Sequence, residues 1–138
     1  MRISRRTVIS VLVLLIILLS GWFWVNPIGK FGYCQFGLTI YNSIPRPISD
    51  IQINANGDLR TVEKTHNLTF DKIMWLLDGK ADILIIGTGW HGVVKAKFDK
   101  DEIKACDIEI LTTREAVPLY NKLIKSGKRV AIHVHSTC

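Results

Sequence analysis

Ile83-Leu84-Ile85-Ile86-Gly87-Thr88-Gly89-Trp90-His91-Gly92 is the stretch on which the reading of this chain turns. Four apolar residues without a polar interruption, entered from Asp82 and ended by glycine, have the pattern of a short strand buried between two layers. The glycines that follow stand in G-x-G-x-x-G spacing, with Asp107 twenty residues after Gly87. Spacing alone matches a dinucleotide fingerprint, but that chemistry requires a helix opening at the last glycines, so that its first amides can hold a pyrophosphate. Val93 to Phe98 alternates instead as a strand would, and the chain is too short for a second mononucleotide half. The weakest reading is therefore a nucleotide site, and no cofactor is expected. Two readings remain open: a glycine turn that lets strand and neighbour approach closely, or a small anion or ligand pocket built from the Gly87-Thr88-Gly89 amides with Thr88 and His91.

Working outward, the same alternation of elements continues on both sides. Phe70, Ile73, Met74, Leu76 and Leu77 recur at helical spacing behind Asn67 to Thr69 and stop at Gly79. After the glycines come a strand over Val94 to Phe98, a short helix over Lys100 to Ala105, a strand over Ile108 to Leu111, a helix over Thr113 to Lys125 ended by Gly127, and a last strand over Arg129 to Val134. Such alternation predicts an α/β domain with a largely parallel inner sheet. Thr112 and Glu115 have capping-box spacing, while Pro118 beyond the first turn predicts a kink or a later helix start. On the amino-terminal side, Ile51 and Ile53 face Leu59 and Thr61 across Asn56-Gly57-Asp58, the composition of a hairpin.

Residues 26–50 hold Pro27, Gly29, Gly32, Gly37, Pro45 and Pro47, and read as a breaker-rich connector in which Phe36 to Tyr41 could form one short strand. Before it lies residues 1–25: Arg2, Arg5 and Arg6, then Val8 to Val25 with no charge. Eighteen residues make roughly 27 Å of helix, close to the hydrocarbon thickness of a bilayer. Trp22, Phe23 and Trp24 stand at the far end, where amphipathic rings favour the headgroup layer. An uncleaved anchor fits better than a cleaved signal, since the small residues Ser20 and Gly21 run directly into the aromatics. A buried core helix is the third possibility. The arginine bias predicts a cytoplasmic amino terminus and an extracytoplasmic carboxyl-terminal domain, periplasmic in a bacterium.

Setting aside the three leading arginines, 15 Lys and Arg remain against 12 Asp and Glu, mixed along the chain, so no phosphate-tracking stripe exists and nucleic acid is not an expected partner. Cys34, Cys106 and Cys138 are odd in number and do not make a disulfide framework. His133 and His135, two apart on a strand, could share a metal with Cys138 and His91, but four-ligand spacing is lacking and no metal is expected. Asp82, Asp107 and Glu109 read as solvated strand ends, no catalytic residue is assigned, and Asn67-Leu68-Thr69 is a glycosylation sequon only in a eukaryotic lumen.

Asp82 to Gly89, Glu109 to Thr113, Glu115-Ala116-Val117, Tyr120-Asn121-Lys122-Leu123, Gly127-Lys128-Arg129-Val130 and His135-Ser136-Thr137-Cys138 together resemble the Mth-938-like domain family. That family includes the adipogenesis-associated Mth-domain protein and the mitochondrial complex I assembly factor 3. The resemblance covers residues 51–138 and implies a compact three-layer α/β domain with a mixed central sheet, no established reaction, and roles in assembly or regulation. Members of the family are mostly soluble, so the apolar span departs from their pattern. The resulting expectation is a membrane-tethered, non-catalytic domain that binds a protein partner; a ligand-binding module or enzyme using the glycine turn is the alternative. Leu119 and Leu123, four apart, mark a buried stripe, which would turn Tyr120, Asn121 and Lys122 into a docking face.

Overall fold

The computed structural model describes residues 4–138; Arg2 of the basic start lies outside them. The first element is helix α1 (Arg5–Val25), capped by the Ser4 hydroxyl, which accepts from the Thr7 amide. None of its residues is buried by the rest of the chain. This excludes the core-helix reading, because a core helix would be packed on at least one face.

Residues 26–50, expected as a connector, instead hold three short strands: β1 (Phe31–Gln35), β2 (Leu38–Tyr41) and β3 (Ile44–Pro47) in an antiparallel meander. The glycines and prolines that read as breakers sit mostly in its turns and edges. Gly37 has φ +74°, a turn conformation open to glycine, and Pro45 and Pro47 lie on β3, an edge strand. Phe31 and Tyr41 from this sheet are almost fully buried.

The central sheet has five strands in the order β5-β4-β10-β7-β9, where β4 is Asp50–Ile53, β5 Leu59–Val62, β7 Ile83–Gly87, β9 Asp107–Leu111 and β10 Val130–Val134. β7 runs parallel to both β10 and β9, while β4 is antiparallel to β10 and to β5, so the sheet is mixed. β4 and β5 form the expected hairpin. Its turn is organised by Asn54, whose Oδ1 accepts from the amides of Asn56 and Asp58, with Gly57 at φ +87°.

The strand expected over 94–98 does not join this sheet. It is β8 (Lys95–Lys97), parallel to β6 (Asn67–Thr69) in a separate two-stranded pair. The short helix expected at 100–105 is a single 3-10 turn, Lys100–Glu102. Helix α2 (Phe70–Leu77) lies on one face of the central sheet, where Ile73 and Leu76 meet Leu84, Ile86 and Ala131. Helix α3 (Thr113–Lys125) lies on the other with β1, where Ala116, Val117 and Tyr120 meet Ile51, Ile53, Ile85 and Ile132. The alternation of β7 and β10 residues between these two clusters explains their unbroken apolar runs: both faces are covered. α3 starts at Thr113 and continues through Pro118, which is exposed. Glu115 Oε2 accepts from both the amide and the hydroxyl of Thr112, at 3.2 and 2.7 Å, and this cap fixes the early start.

Candidate functional site

Gly87, Thr88 and Gly89 lie at the carboxyl end of β7, and all three are buried. A Cβ on Gly87 would stand 3.0 Å from the His133 carbonyl and 3.1 Å from Thr113 Oγ1, so glycine is needed there for close approach in an ordinary strand conformation. Gly89 is different. Its φ is +100°, and a Cβ would fall 2.3 Å from the Cys138 carbonyl oxygen and 2.6 Å from that of Thr137.

The segment after β10 therefore lies against the glycine turn, and the hydrogen bonds show how. Thr88 N–H donates to Leu111 O, Gly89 N–H to Thr113 Oγ1, Trp90 N–H to Thr137 O and His91 N–H to Cys138 O. Thr113 Oγ1 in turn donates to His135 O, and His135 N–H donates to Gly87 O. Each of the amides from Thr88 to His91 thus has an acceptor within the chain, which leaves none of them directed at an anion. The Thr88 hydroxyl is also engaged, donating to Leu111 O at 2.9 Å. His91 is exposed, with its ring 6.3 Å from that of Phe36.

The helix residues named from the sequence are also placed differently from an outward face. Tyr120 is in the core, edge-on to Phe31 and Tyr41, with its hydroxyl 3.3 Å from that of Tyr41. Burial first, and then the Tyr41 hydroxyl, push its phenol well above the usual tyrosine range. Asn121 is half-buried and clasps the Phe31 main chain, accepting from its N–H at 2.9 Å and donating to its C=O at 2.8 Å. Of the three, Lys122 alone is exposed. A leucine repeat marks the centre of a buried stripe but not its width, and here the small sheet β1–β3 widens the covered face.

The densest polar arrangement lies on the α2 side of the sheet, at the β4–β10 junction. Gln52 stands opposite His133, and Asp50 meets His135 just beyond the strand end. Gln52 Nε2 is 3.3 Å from His133 Nδ1, while Arg60 donates to Gln52 Oε1 through Nε and one terminal nitrogen. His133 Nε2 has no partner among the described residues. Burial, the largest influence, pushes the His133 imidazole down to about 4, so it is neutral at neutral pH.

Asp50 is fully buried yet held by four donors: His135 Nδ1 at 2.5 Å, Lys64 Nζ at 2.9 Å, Ser136 N–H at 3.0 Å and Ser136 Oγ at 3.2 Å. Burial by itself would raise its pKa. The Lys64 and Ser136 hydrogen bonds with the neighbouring positive charge outweigh that and hold the carboxyl below its usual range. On the far side of His135, His66 and Cys138 close the group: the two imidazole centroids are 5.6 Å apart, and Cys138 Sγ is 3.6 Å from His66 Nε2. His66, His135 and Cys138 each offer one ligand atom, all within 4.8 Å of one another. The sequence grouped His133, His135, Cys138 and His91; the structure replaces His133 and His91 with His66. Only the His135-x-x-Cys138 spacing was a local signal for it.

No protein-family model and no curated protein matches the chain. Solved structures do. MT938 shares 29% identity over 79% of this chain and 98% of its own, with a TM-score of 0.70. The conserved hypothetical protein PH1505 from Pyrococcus horikoshii OT3 shares 24% identity over 79% of this chain and 99% of its own, with a TM-score of 0.71. A protein from Bartonella henselae described as an outer membrane protein shares the fold at 16% identity and a TM-score of 0.65, over 83% of this chain and 99% of its own. Coverage of 79% is more than residues 51–138 could supply, so the likeness to MT938 takes in part of the chain before residue 51. In its mixed five-stranded sheet, its layers and its 29% identity to MT938, this chain has the Mth938-like fold.

Proposed function

We propose that the chain is a membrane-tethered, non-catalytic binding domain that works in the assembly of a membrane-associated complex. The observation that carries this reading is α1: a helix of 21 residues in which an 18-residue stretch has a mean hydropathy of 2.7, and in which no residue is buried by the domain. Such a surface is stable only in lipid or against another protein. The helix also meets the domain with little slack. The Trp22 indole donates to Ser43 O at 3.2 Å, buried Asn26 accepts from the Tyr33 amide at 2.9 Å, and the Ser43 hydroxyl donates to Asn26 O. This junction would hold the small sheet at the bilayer surface, with Tyr33 and Ile44 exposed beside it. The occupied amides of the glycine turn favour binding through the surface over a small-molecule pocket at that turn. A chain of the same fold described as an outer membrane protein is a precedent for this fold in an envelope setting.

Membrane fractionation and topology reporters test the proposal. The full-length chain is expected in the membrane fraction and resistant to carbonate, and a reporter fused after Cys138 is expected to be active only outside the cytoplasm. Replacing Arg2, Arg5 and Arg6 with glutamates should weaken that orientation. A chain released by carbonate, or shortened by removal of α1, would overturn the tethered reading; cytoplasmic reporter activity would overturn its orientation.

A further inference from the structure

We propose that His66, His135 and Cys138 form a divalent-metal site, of the class that takes zinc, joining the loop before β6 to the segment after β10. The argument begins with ligand chemistry. Two imidazoles and a thiolate form a mixed nitrogen and sulfur set suited to a borderline-soft ion such as Zn²⁺. With Zn–S of about 2.3 Å and Zn–N of about 2.0 to 2.1 Å at tetrahedral angles, a sulfur and a nitrogen on one ion lie about 3.6 Å apart. Cys138 Sγ and His66 Nε2 are already 3.6 Å apart. The remaining ligand-atom distances, none above 4.8 Å, need to contract by at most about 1.5 Å to reach tetrahedral edges.

A second observation comes from behind the site. His135 Nδ1 lies 2.5 Å from Asp50 Oδ2, which assigns the Nδ1 proton to that contact and makes Nε2, whose hydrogen-bond contact is the Thr137 hydroxyl at 3.5 Å, the nitrogen for a metal. The Asp50 carboxylate is itself fixed, since Ser136 and Lys64 engage its other oxygen. A buried carboxylate orienting a histidine whose other nitrogen faces a thiol and a second imidazole is the outer-shell arrangement of a zinc ligand. His66 is exposed and Cys138 is half-buried, so an ion has a route in. The thiolate and Asp50 supply two negative charges toward the two positive charges of the ion, and the neighbouring Lys64 amine is held by Asp50, Ser136 and Thr137. Three protein ligands leave one coordination position for solvent or for a partner's side chain.

The site is tested on the untagged full-length chain in detergent, stripped with a chelator and titrated with Zn²⁺ against a chromophoric competitor, then with Co²⁺. Expected are one ion per chain, tetrahedral Co²⁺ bands with sulfur charge transfer, and a zinc-dependent rise in the melting temperature. His66→Ala and Cys138→Ser should each weaken Zn²⁺ binding by at least tenfold, and Asp50→Asn by about 10- to 100-fold. Cys138→Ser should also abolish the charge-transfer band, while Cys106→Ser should leave both readouts unchanged. His66 is exposed, so its variant remains informative even if changes at buried Asp50 or His135 impair folding. Binding no tighter than tens of micromolar, or binding indifferent to both His66→Ala and Cys138→Ser, would overturn the proposal.

Discussion

Replacing Gly89 with alanine probes the contact on which the carboxyl-terminal segment depends. Its φ of +100° is unfavourable for any residue with a Cβ, at a cost on the order of 1 to 3 kcal/mol. The new methyl group would also stand 2.3 and 2.6 Å from the carbonyl oxygens of Cys138 and Thr137, main-chain atoms that cannot rotate away. Relieving that overlap means moving the segment and losing its bonds from Trp90 N–H and His91 N–H, each contributing about 1 kcal/mol. The expected total is about 3 to 5 kcal/mol. Gly127→Ala is the internal comparison: its φ is +81°, but nothing lies within 4 Å of the added Cβ, so it should cost only about 1 to 2 kcal/mol. Urea unfolding of the full-length chain in detergent, followed by tryptophan fluorescence and far-ultraviolet circular dichroism, measures both. If the Gly89 variant is no less stable than the Gly127 variant, the segment is not held against the turn as described, and the account of the occupied amides fails with it.

Three further variants test the α3 face and its cap. Asn121→Ala should lower unfolding stability by about 1 to 3 kcal/mol, because both hydrogen bonds to the Phe31 main chain are lost, whereas Lys122→Ala should stay within about 0.5 kcal/mol of the parent. Equal stability of the two would restore the outward-facing reading of Asn121. Glu115 has its carboxyl pKa lowered, first by the Thr112 hydroxyl and then by the Thr112 amide, so its contribution is present above the unfolded carboxyl range near 4.3 and fades as pH falls through the folded value. The melting-temperature gap between the parent and Glu115→Gln should therefore be open at pH 7 and close below about pH 4; a gap of constant size across that range would refute the cap assignment.

The apolar run of α1, the buried strand β7, the β4–β5 hairpin and the capped start of α3 were all legible in the sequence, because each rests on a local signal. Unbroken hydrophobicity reports that two faces are covered, Asn-Gly-Asp supplies a turn, and Thr-x-x-Glu satisfies the first helical amides. Residues 26–50 misled for the opposite reason. In a meander with strands of four or five residues, turn formers make up much of the sequence, and the apolar anchors Phe31 and Tyr41 acquire meaning only when α3 lies across them. Leu119 and Leu123 located the buried side of α3 but could not show that β1 would also cover Asn121. The glycine pattern likewise revealed a need for close approach without naming the approaching group, which is the chain's own residues 137 and 138. The same limit explains the histidines. Two-residue alternation placed His133 and His135 on one face, yet their different fates follow from the neighbours that the fold supplies: Gln52 for the first, Asp50, His66 and Cys138 for the second. Periodicity fixes which way a side chain points along its own element, whereas what it meets there depends on sheet order and register, which are set by packing among residues far apart in the chain.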